Sequence, residues 1–188
     1  MNRYQALCYE FQNAPGGMYA PTPSTPTKLP ERYVTLWHWL ISEELEEYLA
    51  ARDLVAQAHE QCDLLYVLYG LAVWQGLVIP SYVEQVPFYQ VNEMDTANNI
   101  RIQVNLLLVG LGKGPHYSYL TLTAALGWVH TNPPPGVRLW PVFQAVHAAN
   151  MAKMEGGAVR FEGGKILKPE GWQPADVRSV LQAQGIEC

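Results

Sequence analysis

Apolar residues recur at helical spacing along most of the chain. From Tyr33 to about Asp53 there is no Gly or Pro, and Val34, Trp37, Ile41, Leu45 and Tyr48 fall on one face at about 100° per residue. Tyr33, Leu36 and Leu40 line a second stripe that Glu43 and Glu47 continue, while Glu44 stands beside them and Glu46 points furthest toward solvent. Pro30 suits the first turn of this helix, and Glu31 is favourable next to its N-terminus. A second long helix is predicted over Leu54 to Trp74, with Glu60, Asp63, Val67, Leu71 and Trp74 on one stripe and almost only apolar residues after Asp63.

Elsewhere the pattern is less regular. Asn13 to Pro30 holds five prolines and a Gly16-Gly17 pair, so it reads as an irregular arm draped over a core. Between Pro80 and the Pro133-Pro134-Pro135-Gly136 break, Asp95 to Leu111 has helical spacing, with Gly112 as its cap, and Tyr117 to His130 reads as helix or strand, helix being favoured. Trp140 to Met154 is again helical, Ala158 to Glu162 suits one arm of a hairpin between two Gly-Gly pairs, and a short last helix is expected from about Pro174 to Gln184. The expected class is all-α in one domain spanning residues 1–188.

Charge changes this picture at one place. Glu43-Glu44-Leu45-Glu46-Glu47 and Glu60-Gln61-Cys62-Asp63 put six carboxylates on two adjacent helices, and Arg52, the nearest base, lies five residues beyond Glu47. Each close like-charged pair on a helix costs roughly 0.2 to 0.5 kcal/mol, so positive charge must come from elsewhere. Three carboxylates turned to one side of one helix, with Glu-x-x-Asp on the next, make an all-oxygen donor set of the kind hard cations such as Mg²⁺ and Mn²⁺ prefer. The bland alternative is a solvated acidic face. Asp63 argues against it, because an ionised carboxylate in an apolar stretch must be hydrogen-bonded, coordinated or protonated.

Composition narrows the partners. With 188 residues, 49% hydrophobic and 15% charged, the chain is long enough for one well-packed core. A formal charge of -5 and scattered Lys and Arg exclude a nucleic-acid duplex as the expected partner. Cys8, Cys62 and Cys188 form no metal-spaced pair and leave an odd thiol, so they are read as structural residues in a reducing cytoplasm. Neither a secretion signal nor a run of about 18 apolar residues occurs, which speaks against export or membrane insertion. Gly110 to Pro115 lacks P-loop spacing and reads as a loop after a helix; Trp172 is a candidate to stack on a base.

Taken together, Glu43-Glu44-x-x-Glu47 with Glu60-x-x-Asp63 resembles the signature of the all-α nucleoside triphosphate pyrophosphohydrolases, which include MazG, dimeric dUTPases and HisE. His147-Ala-Ala-Asn150-Met151-Ala-Lys153, the Gly164-Lys165-Ile-Leu-Lys168-Pro turn and the proline arm are similar to the MazG/HisE-like branch. The stretch 77–140 departs from that branch and reads as an inserted helical segment in a MazG-like helical bundle that ends in a short C-terminal hairpin or loop region.

The resemblance implies an enzyme that cleaves the α–β phosphoanhydride of a nucleoside triphosphate and releases pyrophosphate. It implies Glu43, Glu47, Glu60 and Asp63 as ligands of Mg²⁺ or Mn²⁺, two or more ions per site, with Glu44 orienting or deprotonating the attacking water. Asn150, Lys153, Lys165 and Lys168 are implied as substrate-binding residues. Likeness to phage MazZ-type enzymes implies (d)GTP, and the family implies a homodimer or homotetramer. Alternatives within the fold are a house-cleaning dNTP pyrophosphatase, a dUTPase-like enzyme or a phosphoribosyl-ATP hydrolase; outside it, a non-catalytic helical protein whose acidic face docks a basic partner.

Overall fold

Side chains that cap their own helices punctuate the chain. The structure, a computed structural model, describes residues 1–14, 23–84, 93–154, 161–162 and 165–188. Among the described residues there are seven α-helices: α1 (Arg3–Gln12), α2 (Glu31–Ala50), α3 (Leu54–Trp74), α4 (Glu93–Gly110), α5 (Pro115–Thr131), α6 (Leu139–Ala152) and α7 (Val177–Gln182). A 3-10 turn, Ser81–Glu84, follows α3. Asn2 accepts from the Gln5 N–H at 2.9 Å, Asp53 from Ala56 at 2.9 Å and Asp176 from Ser179 at 3.1 Å, which satisfies a free N–H at the start of α1, α3 and α7. Pro30 occupies the N-cap position of α2.

The all-α expectation holds. The only strands among the described residues are two-residue ones, β1 (Phe161–Glu162) and β2 (Lys165–Ile166), paired antiparallel where a C-terminal hairpin is expected; residues 158–160 of the predicted hairpin arm lie outside the described residues. Tyr117 to His130, ambiguous by pattern, is helical. The turn after α4 differs in detail, since the helix ends at Gly110 and the left-handed glycine is Gly114, φ 125°, directly before Pro115. Gly110 itself is required for close packing, because a Cβ there would overlap the Tyr117 ring.

The first helix, α1, is absent from the sequence reading. It is seated largely by amides: Gln5 donates to the Leu77 carbonyl and accepts from Ile79 N–H at 3.0 Å, and Gln12 donates to the Gly70 carbonyl at 2.9 Å. Between them, Tyr4 packs edge-on against His130, Trp140 and Phe143.

One hydrophobic cluster runs through the helices, with α3 at its centre in contact with α1, α2, α5, α6 and α7. Accordingly α3 is buried on nearly every side after Asp63, including Leu64, Leu65, Leu68, Tyr69 and Leu71. From residues 77–140, α4 packs on α5 and α2, and α5 on α3, placing Ile100, Val104, Leu107, Leu122 and Leu126 in the same core. Part of the proline arm crosses the end of α3: Thr27 N–H donates to Gln75 O at 2.9 Å, and a Cβ at Gly76 would lie 2.7 Å from Pro23 O. No helix among the described residues is long and apolar enough to cross a membrane.

Candidate active site

Helices α2 and α3 are joined by only three residues and run antiparallel, so their ladders can be matched: Tyr33 meets Trp74, Trp37 meets Gly70, and Glu44 and Glu47 meet Glu60. Glu44, Glu47 and Glu60 each bring a carboxylate oxygen within 4.8 Å of the others. Glu43 and Asp63 line the same cleft, a cavity of about 730 Å³ between α2, α3, α6 and the segment before α7. Glu43 and Glu44 are half-buried whereas Glu47 and Glu46 are exposed, so Glu47 is wetter than its stripe suggests. Asp63 is partly secluded and sits 3.4 Å from His59 Nε2.

This donor set fits a divalent cation. All three clustered atoms are carboxylate oxygens, the hard ligands that divalent cations such as Mg²⁺ and Mn²⁺ prefer. Burial raises the Glu60 pKa above its ordinary value, and the charges of Asp63 and Glu47 raise it further; His59 and Lys168 act in the opposite sense. The carboxylates crowd one another until positive charge arrives.

Cationic groups line the other wall. Asn150 and Lys153, on and just after α6, lie one turn apart, and Lys153 Nζ donates to Asn150 Oδ1 at 2.6 Å. Lys168 enters the cleft from the strand region, close enough to Glu60 to be felt by it. Trp172 ties these parts together: its Nε1–H donates to the Ala149 carbonyl at 2.7 Å, and Lys168 and Lys153 stand 4.6 and 5.1 Å from its ring. Both lysines stand against the Trp172 ring, which was expected from sequence as a platform for a base. Lys165 lies on β2, paired in register with Glu162, and its side chain is outside the described residues.

Beneath Asn150, His147 is buried and braced from both sides, by Tyr66 Oη at 3.0 Å and by Glu10 Oε2 at 3.5 Å. Burial lowers its pKa, with Glu10 opposing. The three cysteines divide, Cys8 and Cys62 being buried with raised pKa values from desolvation and Cys188 exposed. The sequence reading missed Phe11, Gln12, Trp37, Tyr66 and Gly70 as cleft residues. His59, also in the cleft, carried a readable signal, its i, i+4 spacing to Asp63.

Residues 12–87 are similar to the family described as phosphoribosyl-ATP pyrophosphohydrolase, a match that covers α2, α3 and every clustered carboxylate but less than half of the chain. No curated protein and no solved structure matches. The matched region and the acidic cleft agree: residues 12–87 are similar to a phosphoribosyl-ATP pyrophosphohydrolase domain, a type within the MazG/HisE all-α superfamily, an enzyme class that acts on phosphoanhydride bonds.

Proposed function

We infer that this enzyme hydrolyses a nucleoside triphosphate between the α and β phosphates, releasing the monophosphate and pyrophosphate, with Mg²⁺ or Mn²⁺ held by Glu43, Glu47, Glu60 and Asp63. The observation that carries the reading is a single cleft with clustered carboxylates on one wall and Asn150, Lys153 and Lys168 on the other. A cation bound there supplies charge neutralisation on phosphate oxygens and makes water a competent nucleophile. Glu44 accepts the proton of the attacking water, a role supported by its closeness to Glu47 and Glu60. Lys153 and Lys168 bind the polyphosphate, Lys165 with them, and Asn150 holds Lys153 and the ribose.

For substrate we propose (d)GTP, on the likeness to MazZ-type enzymes, in a cytoplasmic homodimer or homotetramer. A second reading, phosphoribosyl-ATP, is favoured by the description of the matching family. Pyrophosphate release measured on a panel of dGTP, GTP, dUTP, the other dNTPs and phosphoribosyl-ATP decides between them. Preferred turnover of dUTP or of phosphoribosyl-ATP would defeat the guanine assignment. No Mn²⁺ uptake by calorimetry, or uptake indifferent to Asp63→Asn, would favour a non-catalytic helical partner protein.

A further inference from the structure

The cleft is longer than its acidic centre. Moving from Glu44 to Trp37 on α2, or from Asp63 to Gly70 on α3, covers seven residues, about 10 Å at 1.5 Å per residue. Over that distance the lining changes from carboxylates to Leu40, Val67, Trp37 and Phe11, and the far end is closed by α1. Phosphates and cation belong at the acidic end, where Lys153, Lys168 and Trp172 also lie. The apolar end remains for the part of a nucleotide that is flat, aromatic and uncharged.

Gln12 is the polar group at that end. It is 6% exposed, and its Nε2 is committed to the Gly70 carbonyl at 2.9 Å, so the plane of the carboxamide is set by the backbone of α3. Fixed in this way, the amide leaves its carbonyl oxygen and second N–H to present side by side, an acceptor next to a donor, the pattern that pairs with a base edge. Gly70 makes the seat possible. A Cβ there would come 2.9 Å from Gln12 Nε2 and 3.0 Å from Trp37 Cη2.

We propose that the base of the nucleotide is received at the α1 end of the cleft, against Phe11 and Trp37, and that the Gln12 carboxamide reads its edge. This rests on the reading of the chain as a nucleoside triphosphate pyrophosphohydrolase. Base selectivity is thereby assigned to the N-terminal helix, while the carboxylates of α2 and α3 serve any triphosphate. Phe11 supplies apolar contact that every base can use, so it sets affinity more than choice.

The test compares kcat/KM for pyrophosphate release across the nucleotide panel in the full-length wild type, Gln12→Ala, Gly70→Ala and Phe11→Leu, with Mn²⁺ binding measured alongside by calorimetry. Gln12→Ala is expected to shrink the ratio between the best and the poorest base by about tenfold, the worth of one lost hydrogen bond to a buried group. Gly70→Ala, which displaces Gln12 from a helix position that favours alanine, reproduces the loss without altering Gln12 itself. Phe11→Leu raises KM for all bases together. Mn²⁺ affinity stays within a few-fold in each. Unchanged selectivity in both Gln12→Ala and Gly70→Ala, or a wild type that turns over all bases alike, overturns the proposal. A wild type that releases pyrophosphate from no nucleotide instead overturns the underlying reading.

Discussion

Glu60→Gln should make the metal-free protein more stable and the metal-loaded protein less so. Glu60 faces Glu44 and Glu47 within 4.8 Å and has Asp63 three residues on along α3, three like-charged neighbours for one carboxylate. At roughly 0.2 to 0.5 kcal/mol for each pair, their removal is worth about 1 kcal/mol, an upper figure because Lys168 and His59 attract the same group. For a chain of this length that corresponds to a rise in Tm of about 2 to 4 °C in chelator. Saturation with Mn²⁺ reverses the order. At a hundredfold excess over Kd the wild type gains about 2.7 kcal/mol, which the variant, short of one ligand, largely forgoes. Thermal melts of both proteins in EDTA and in Mn²⁺ at neutral pH read the crossing directly. If Glu60→Gln melts below wild type in EDTA, or gains the same increment from Mn²⁺, the account of a crowded, cation-seeking cluster is wrong.

Three other outcomes are expected. Glu44→Gln should lower kcat by about 10² to 10⁴ even at saturating Mn²⁺, where any weakening of ion binding is made up by concentration; full turnover removes Glu44 from the role of base. Lys153→Ala should raise KM for the triphosphate by about 10- to 100-fold, the range for a lost charge-assisted hydrogen bond, and an unchanged KM in steady-state assays contradicts the phosphate contact. His130 is buried, hydrogen-bonded to Tyr69 Oη at 2.7 Å, and desolvation brings its pKa down to about 3 from 6.5. It therefore stays neutral in the fold while the unfolded chain takes up a proton, so stability present above pH 6.5 is lost as pH falls toward 3. Urea midpoints measured across that window should flatten in His130→Gln, and an identical acid slope in both proteins would remove His130 as the cause.

Much of the helical framework was legible because local chemistry and periodicity agree. Asp53 caps α3 at the residue before Leu54, and the apolar run ends at Trp74, so the observed bounds coincide with the predicted ones. The first helix was also within reach: Asn2 is an N-cap residue, and Tyr4, Leu7, Cys8 and Phe11 have helical spacing. Its polar residues, Gln5 and Gln12 above all, obscured it, since their burial depends on backbone partners some sixty to seventy residues away. In the site, carboxylates announce themselves in sequence because a charged cluster is locally costly. Phe11, Trp37 and Gly70 do not, being ordinary core types whose role arises only when α1, α2 and α3 meet. Trp172 illustrates the same limit, for one of its lysine neighbours, Lys153, comes from the end of α6.

The amides that seat α1 have an evolutionary consequence. Gln5 bonds the main-chain atoms of Leu77 and Ile79, and Gln12 bonds that of Gly70. Main-chain atoms are the same whatever side chain they carry, so these hydrogen bonds survive an exchange of one apolar side chain for another at residue 77 or 79, provided the buried space is filled and the backbone path is kept. The two glutamines have no such freedom. Among relatives, variation should therefore be uneven across this contact, with apolar exchanges tolerated at residues 77 and 79 and little change at the two glutamines or at Gly70.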